Sequence, residues 1–317
     1  MSFSSEAKDE MSRVINTGRH CQIAEIAAIV SLCGNVHISK DDKYMIKVHT
    51  ENVAVARKFF ILLKKTFSIN AEISIKRNTY LKKSITYTIT IKNSEDAMRV
   101  LHATHLIDED MEINEEMSLV NNLIIHNTCC KRAFIRGAFL ATGSISDPGK
   151  FYHFEIVCPT EEKARQLQAI INTFDVDAKI VNRKKHFIVY IKEGAQIVDL
   201  LNVMEAHVSL MKLENIRILK EMRNSVNRKV NCETANINKT VSAAVKQLDD
   251  IKIIKEKIGL DNINENLAEI AKVRLANPDA TLKELGELLD PPVGKSGVNH
   301  RLRKISELAD SLREGSN

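Results

Sequence analysis

The stretches Ile26-Ala-Ala-Ile-Val-Ser-Leu-Cys-Gly-Asn35 and Ile135-Arg-Gly-Ala-Phe-Leu-Ala-Thr-Gly-Ser144 align at an offset of 109 residues. A repeat of this kind sets the architecture before any single element does. Each decapeptide is followed by an alternating run, Tyr44–Thr50 in the first copy and Tyr152–Val157 in the second. Alternation with period two marks a half-buried strand. A helix-period segment comes next, Glu51–Phe67 and then Glu161–Phe174. Two further strands follow each: Ala71–Lys76 with Ile85–Ile91, and Ala178–Asn182 with His186–Ile191. An amphipathic segment closes each copy, Ser94–Leu106 and Ala195–Leu210. The order helix, hairpin, helix, hairpin, helix predicts two four-stranded antiparallel sheets with helices on one face, an α+β fold.

The decapeptide helices carry small residues at spacings of three and four: Ala24, Ala27, Ala28 and Ser31 in one, Ala133, Gly137 and Ala141 in the other. Such spacing puts them on one face, where they let two helix backbones approach. Gly137 strengthens this reading, because a glycine inside a helix costs about 1 kcal/mol relative to alanine and needs a packing reason. The two helices are therefore expected to pair along a pseudo-twofold seam.

Composition is that of a folded protein: 317 residues, 44% hydrophobic and 27% charged, with 11 glycines and 5 prolines. It excludes disordered and collagen-like chains. No apolar run reaches the roughly 20 residues that span a bilayer, the densest being Phe59–Leu63. The first ten residues are charged and lack the apolar core of a secretory signal, so a cytoplasmic location is expected. Of the six cysteines, Cys21, Cys33, Cys129, Cys130, Cys158 and Cys232, none forms a C-x-x-C pair or a metal-ligand spacing with histidine. Reduced thiols are expected, with no metal and no cofactor.

The net charge of +5 conceals an alternation. Lys212–Lys257 holds 11 Lys and Arg against 6 Asp and Glu, whereas Ile258–Gly294 holds 3 against 7. Within the basic stretch Asn224, Asn227, Arg228 and Asn231 share one face at helical spacing; Asn and Arg read adenine and guanine edges bidentately. They also serve as surface polar groups. Both second hairpins have basic tips, Lys76, Arg77, Lys82 and Lys83 in the first copy and Arg183, Lys184 and Lys185 in the second. Basic tips suit phosphates, although lysine at a strand edge also discourages strand pairing.

The last 40 residues read as a helix-turn-helix. Thr281-Leu-Lys-Glu284 has the form of a capping box, followed by Leu285, Leu288 and Leu289. Asp290-Pro-Pro-Val-Gly294 ends that helix, and Ser296 is positioned to cap the next. The second helix has an apolar stripe of Val298, Leu302, Ile305, Ala309 and Leu312. Its opposite face presents Ser296, His300, Arg303 and Glu307, flanked by Asn299 and Lys304, and Lys295–Lys304 holds four basic residues and no acid. Ser296, Asn299, His300, Arg303 and Lys304 are accordingly the candidate DNA contacts.

The decapeptides resemble degenerate LAGLIDADG motifs of homing endonucleases. That resemblance implies two αββαββα halves joined through the motif helices. In active members an acid before the terminal glycine of each motif holds a divalent cation; the matching positions here are Cys33 and Thr142. A thiol and a hydroxyl are poor ligands for a hard cation, so no catalytic residue is assigned. Asp147, four residues past Gly143 and followed by Pro148, reads as a turn residue.

Along nearly its whole length the chain resembles the WhiA family of bacterial regulators. The stretches Cys129–Pro148, Arg223–Asn236 and Lys295–Ile305 carry the likeness. It implies a non-enzymatic regulator of transcription, cell division and chromosome segregation, and of sporulation in spore formers. The implied partners are double-stranded DNA and a transcription or cell-division protein, with no membrane and no small-molecule substrate. The implied organisation is residues 1–125 and 126–216 for the two LAGLIDADG-like halves, 217–257 for a helical connector and 258–317 for the helix-turn-helix. Two other readings stay open: a scaffold for a division or transcription protein, and a residual nuclease or RNA maturase.

Overall fold

The first helix, α1 (Phe3–Arg13), is capped by Ser2 and buries Phe3, Ala7 and Met11 along one face. The computed structural model describes residues 2–39, 43–78, 84–107 and 123–314. Two units divide it, Met1–Lys220 and Glu221–Asn317.

The first unit is built on the duplication. Helix α2 (Arg19–Cys33) leads into strands β1 (Gly34–Ile38) and β2 (Tyr44–Thr50), helix α3 (Val53–Phe67), strands β3 (Glu72–Asn78) and β4 (Ser84–Ile91), and helix α4 (Ser94–Ala103). The second copy repeats this with α5 (Thr128–Thr142), β5 (Gly143–Ile145), β6 (Phe154–Cys158), α6 (Glu161–Asn172), β7 (Lys179–Arg183), β8 (His186–Ile191) and α7 (Gly194–Val203). The two sheets are antiparallel, with orders β1-β2-β4-β3 and β5-β6-β8-β7. The expected fold class is therefore the one observed. Alternation does the sorting: Ile46, Val48, Ile89 and Ile91 are buried beneath the helices, as are Phe154, Ile156, Val189 and Ile191 in the second sheet.

Helices α2 and α5 pair at the centre and are buried on most sides. Of the expected small-residue seam, Ala24, Ala27, Ala28 and Ala133 are fully enclosed and Ser31 is buried, while Ala141 is half-buried. At Gly137 the backbones come so close that a Cβ would stand 2.6 Å from the Glu25 carbonyl oxygen. The seam also carries charge. Arg136 of α5 donates to both carboxylate oxygens of Glu25 of α2, at 3.1 and 3.2 Å. It donates further to Glu205 at 2.8 Å and to Asn16 at 2.6 Å. Lys58 of α3 lies 2.5 Å from Glu25 and donates to the Met11 carbonyl. Glu25, Lys58 and Arg136 are each no more than 1% exposed.

Two closing helices are shorter than the periodicity predicts. α4 ends at Ala103 and α7 at Val203. The break lies at His105 and Glu205, both left-handed with φ of 51° and 61°. Leu106 and Ala206 donate back to the Leu101 and Leu201 carbonyls, a helix-ending motif that usually takes glycine. With no glycine or proline to announce it, the stop at 204–206 is hidden inside the expected Ala195–Leu210 helix.

Helix α8 (His207–Lys257) runs for 51 residues. It contributes Leu213 to the core of the first unit and Ile251 and Ile254 to that of the second. In the second unit a 3-10 turn (Leu260–Asn262) leads to α9 (Glu265–Ala276), α10 (Leu282–Glu287) and α11 (Lys295–Glu314). Its core gathers Leu260, Ile270, Leu285, Leu289, Val298, Leu302, Ile305 and Ala309. No helix among the described residues is long and apolar enough to cross a membrane.

Removing one member of a buried ionic cluster strands the others. Glu25→Gln leaves Lys58 and Arg136 facing each other and is expected to cost about 3–5 kcal/mol in denaturant unfolding of the full chain. Lys58→Met, which leaves Glu25 bonded to Arg136, is expected to cost clearly less; equal losses would show that the carboxylate matters no more to the seam than the lysine does.

Candidate nucleic-acid interface

The second unit is held by local chemistry that aims one helix face outward. The capping box opens α10: Thr281 N–H donates to Glu284 Oε2 at 2.7 Å, and Glu284 N–H donates to Thr281 Oγ1 at 3.4 Å. The chain then turns, with Val293 N–H donating to the Gly286 carbonyl at 2.9 Å. Glu269 of α9 accepts from Asp290 N–H at 3.0 Å and from Arg301 at 3.4 Å, clamping the turn to the start of α11. At the far end Arg313 donates to the buried Asp250 of α8 at 2.7 Å.

Two details differ from expectation. Ser296 is not the cap: α11 begins at Lys295, Val298 N–H donates to the Gly294 carbonyl, and Ser296 lies within the first turn. Leu288 is 55% exposed rather than part of the core, because α10 stops one residue before it. The stripe Val298, Leu302, Ile305 and Ala309 is buried as expected.

With that stripe buried, Ser296, Asn299, His300, Arg303 and Lys304 are all exposed on the N-terminal half of α11. Lys295, a basic residue outside the candidate set, is exposed beside them. Arg301 faces inward toward Glu269. Among the described residues Arg303 pairs with Glu307 at 3.2 Å, and both side chains are well exposed. An exposed pair of this spacing contributes about 0.3–0.5 kcal/mol, whereas a bidentate contact to guanine is worth about 1–3 kcal/mol. The guanidinium is thus free to exchange its partner.

Asn224, Asn227, Arg228 and Asn231 lie together on an exposed length of α8. The hairpin tips are less uniform. Lys76 and Arg77 are exposed, but the register opposes Lys76 to Thr86 and Arg77 to Ile85, on opposite faces of the sheet. Lys82 and Lys83 lie outside the described residues. At the second tip Lys184, with φ of 59°, and Lys185 form an exposed turn. Arg183 leans to within 3.7 Å of Glu155, which partly neutralises it. On the face of the first sheet turned from the core, Lys47 and His49 alternate with the buried Ile46 and Val48; period two contained that signal.

The C-terminal ends of α2 and α5 meet at one cavity lined by Cys33, Thr142, Gly143, Lys8, His49 and Glu51. Cys33 donates to the Ile29 carbonyl at 3.2 Å, and burial pushes its thiol up to about 12. Thr142 donates to the Val157 carbonyl at 2.7 Å. Both therefore spend their polar atoms on backbone. Lys8 reaches the Leu140 carbonyl at 3.2 Å, and burial lowers its pKa to about 8. Asp147 accepts from Gly149 N–H at 2.9 Å, the turn role expected of it.

Families described as the WhiA N-terminal LAGLIDADG-like domain, the WhiA LAGLIDADG-like domain and the WhiA C-terminal HTH domain match residues 19–107, 131–223 and 226–309. A relative from Lachnoclostridium phytofermentans, named "Probable cell division protein WhiA", is 56% identical over 99% of this chain and 100% of its own length. A relative of the same name from Alkaliphilus oremlandii is 48% identical over 99% of each chain. The crystal structure of full-length DUF199/WhiA from Thermatoga maritima superposes with a TM-score of 0.59 at 25% identity, covering 98% of this chain and 99% of that one.

The division between core and face in α11 is testable by stability alone. Leu302→Ala is expected to cost about 2–5 kcal/mol, while Arg303→Ala and Lys304→Ala stay within about 0.5 kcal/mol of the parent. Thermal unfolding of the three full-length variants measures this.

Proposed function

The chain belongs to the WhiA family, and on that premise we propose that it is a non-enzymatic, double-stranded-DNA-binding regulator of transcription and cell division, including chromosome segregation and, in a spore former, sporulation. The observation that carries this reading is the exposed face of α11, where Ser296, Asn299, His300, Arg303 and Lys304 project at the start of the second helix of a helix-turn-helix. The N-terminal residues of such a helix are the ones that reach base edges in the major groove. The Asn/Arg face of α8 supplies further contacts, and the hairpin tips supply phosphate contacts of lower weight. In this reading the protein works in the cytoplasm on the nucleoid, and the residue boundaries 125, 216 and 257 separate its two halves, connector and reader.

The absence of catalysis rests on chemistry. Neither Cys33 nor Thr142 offers the carboxylate that a hard cation requires, and Lys8 and Glu51 put a cation and a single acid at the same cavity. A second reading, a scaffold for a division or transcription protein, is favoured by α8 itself. Val226, Val230, Ile237 and Val241 follow one line of that helix and are each more than half exposed. Exposed apolar lines of this kind suit a protein partner.

Footprinting on genomic fragments is expected to give discrete protected sites. On such a site Arg303→Ala should lose about 1–3 kcal/mol and relax preference at one base pair. Lys304→Ala should weaken all sequences alike and lower the salt slope by about one. If neither variant changes affinity or specificity, α11 is not the reader. Supercoiled plasmid incubated with the protein and Mg²⁺ or Mn²⁺ is expected to remain intact. Nicking that EDTA abolishes and that mutation of Glu51 removes would reinstate the nuclease reading.

A further inference from the structure

The paired motif helices present a second cluster at the ends remote from Gly34 and Gly143. His20 and Cys21 lie in the first turn of α2, and Cys129 and Cys130 in the first turn of α5. The offset of 109 that defines the duplication relates His20 to Cys129 and Cys21 to Cys130. Linear spacing gives no ligand set, since two adjacent pairs stand more than a hundred residues apart, and no metal is expected from spacing alone. Pairing of α2 with α5 supplies what spacing does not.

His20 Nδ1 lies 3.1 Å from Cys130 Sγ, 3.4 Å from Cys21 Sγ and 3.9 Å from Cys129 Sγ. All four ligand atoms fall within 4.8 Å of one another. In a tetrahedral zinc site, bonds of about 2.3 Å to sulfur and about 2.0–2.1 Å to nitrogen put neighbouring nitrogen and sulfur ligands about 3.6 Å apart. The three observed distances bracket that edge. Cys21 and Cys130 are buried, while His20 and Cys129 are exposed, so an ion has a route in from solvent. All six cysteines are unpaired by disulfides. The imidazole is also provided for: a Cβ at Gly18 would stand 2.9 Å from His20 Nε2. Any larger residue there would displace the ring whose Nδ1 faces the sulfurs.

We propose that His20, Cys21, Cys129 and Cys130 bind one Zn²⁺ as a structural site that ties the two halves of the duplication together. Three thiolates and one imidazole are a soft, complete tetrahedral set and leave no open position for a substrate. On binding, three S–H bonds give way to three Zn–S bonds, three protons leave to solvent, and His20 contributes the lone pair of Nδ1; no electrons are transferred. The ion clamps the N-terminal end of the α2–α5 seam.

The test uses the full chain, reduced and stripped of metal, titrated with Zn²⁺ against a chromogenic chelator and separately with Co²⁺ as a spectroscopic probe. One equivalent per chain is expected, with the ligand-field bands of tetrahedral cobalt and a thiolate charge-transfer band. Zn²⁺ should also raise the melting temperature. His20→Ala and Cys129→Ser alter exposed side chains, so both should fold. Each should weaken metal binding by more than about 100-fold, beyond the usual loss for an outer-shell partner, and abolish the Zn²⁺-dependent thermal shift. Cys232→Ser, on the exposed length of α8, should change neither. Substoichiometric binding, an octahedral cobalt spectrum without thiolate charge transfer, or undiminished affinity in both ligand variants would overturn the proposal. So would a disulfide from Cys129 to Cys21 or Cys130 that persists under reductant and Zn²⁺.

Discussion

The first unit depends on two helices packing backbone to backbone while burying charge between them. A plain stripe of alanines would let α2 and α5 approach, but it would tolerate slippage along the seam. The ionic cluster removes that freedom. Arg136 satisfies both oxygens of Glu25 and reaches Glu205 and Asn16. Burying such groups is costly, and the cost is offset only when every polar atom finds a partner in one arrangement. The cluster is also asymmetric: the duplication's counterpart of Arg136 is Ala27, and that of Glu25 is Phe134. The two halves are therefore alike in fold and distinct in the charges they bury.

The same seam explains where polar chemistry gathers in this unit and where it is lacking. Its C-terminal ends bring Cys33 and Thr142 to one cavity, with their polar atoms committed to backbone carbonyls. Its N-terminal ends bring together three thiols and an imidazole. One end keeps a cavity without paired carboxylates, and the other collects soft ligands. Opposite ends of one helix pair thus differ in the cation they suit, because hard ions take oxygen and zinc takes sulfur and nitrogen.

In the second unit, a buried apolar stripe and an exposed basic face occupy opposite sides of one helix. The buried stripe of α11 fixes its rotation, and rotation decides which basic residues are available. Arg301 turns inward to Glu269 and helps hold the turn, whereas Arg303 and Lys304 turn outward. Residues two positions apart on a helix lie about 200° apart, so similar side chains acquire different roles.

Much of this was legible in the sequence, because it is written in short-range periodicity. The duplication, the strands Tyr44–Thr50 and His186–Ile191, the small-residue seam, the capping box at Thr281 and the buried stripe of α11 all follow from period two, period 3.6 or a three-residue spacing. The exposed face of α11 was legible for the same reason. Other features left no local trace. Helix α1 precedes the first decapeptide copy, and its three buried residues sit among charged ones. The helix stops at His105 and Glu205 use residues that do not signal a left-handed turn. Glu25 and Lys58 look like ordinary surface charges until the fold closes around them. His20, Cys21, Cys129 and Cys130 are two unremarkable pairs until α2 meets α5. By itself the sequence determined which segments are helix or strand and which face of each is apolar, because those properties depend on neighbours within a few residues. Only the tertiary structure decided which distant polar groups share a site, because that depends on how close two buried helices can come.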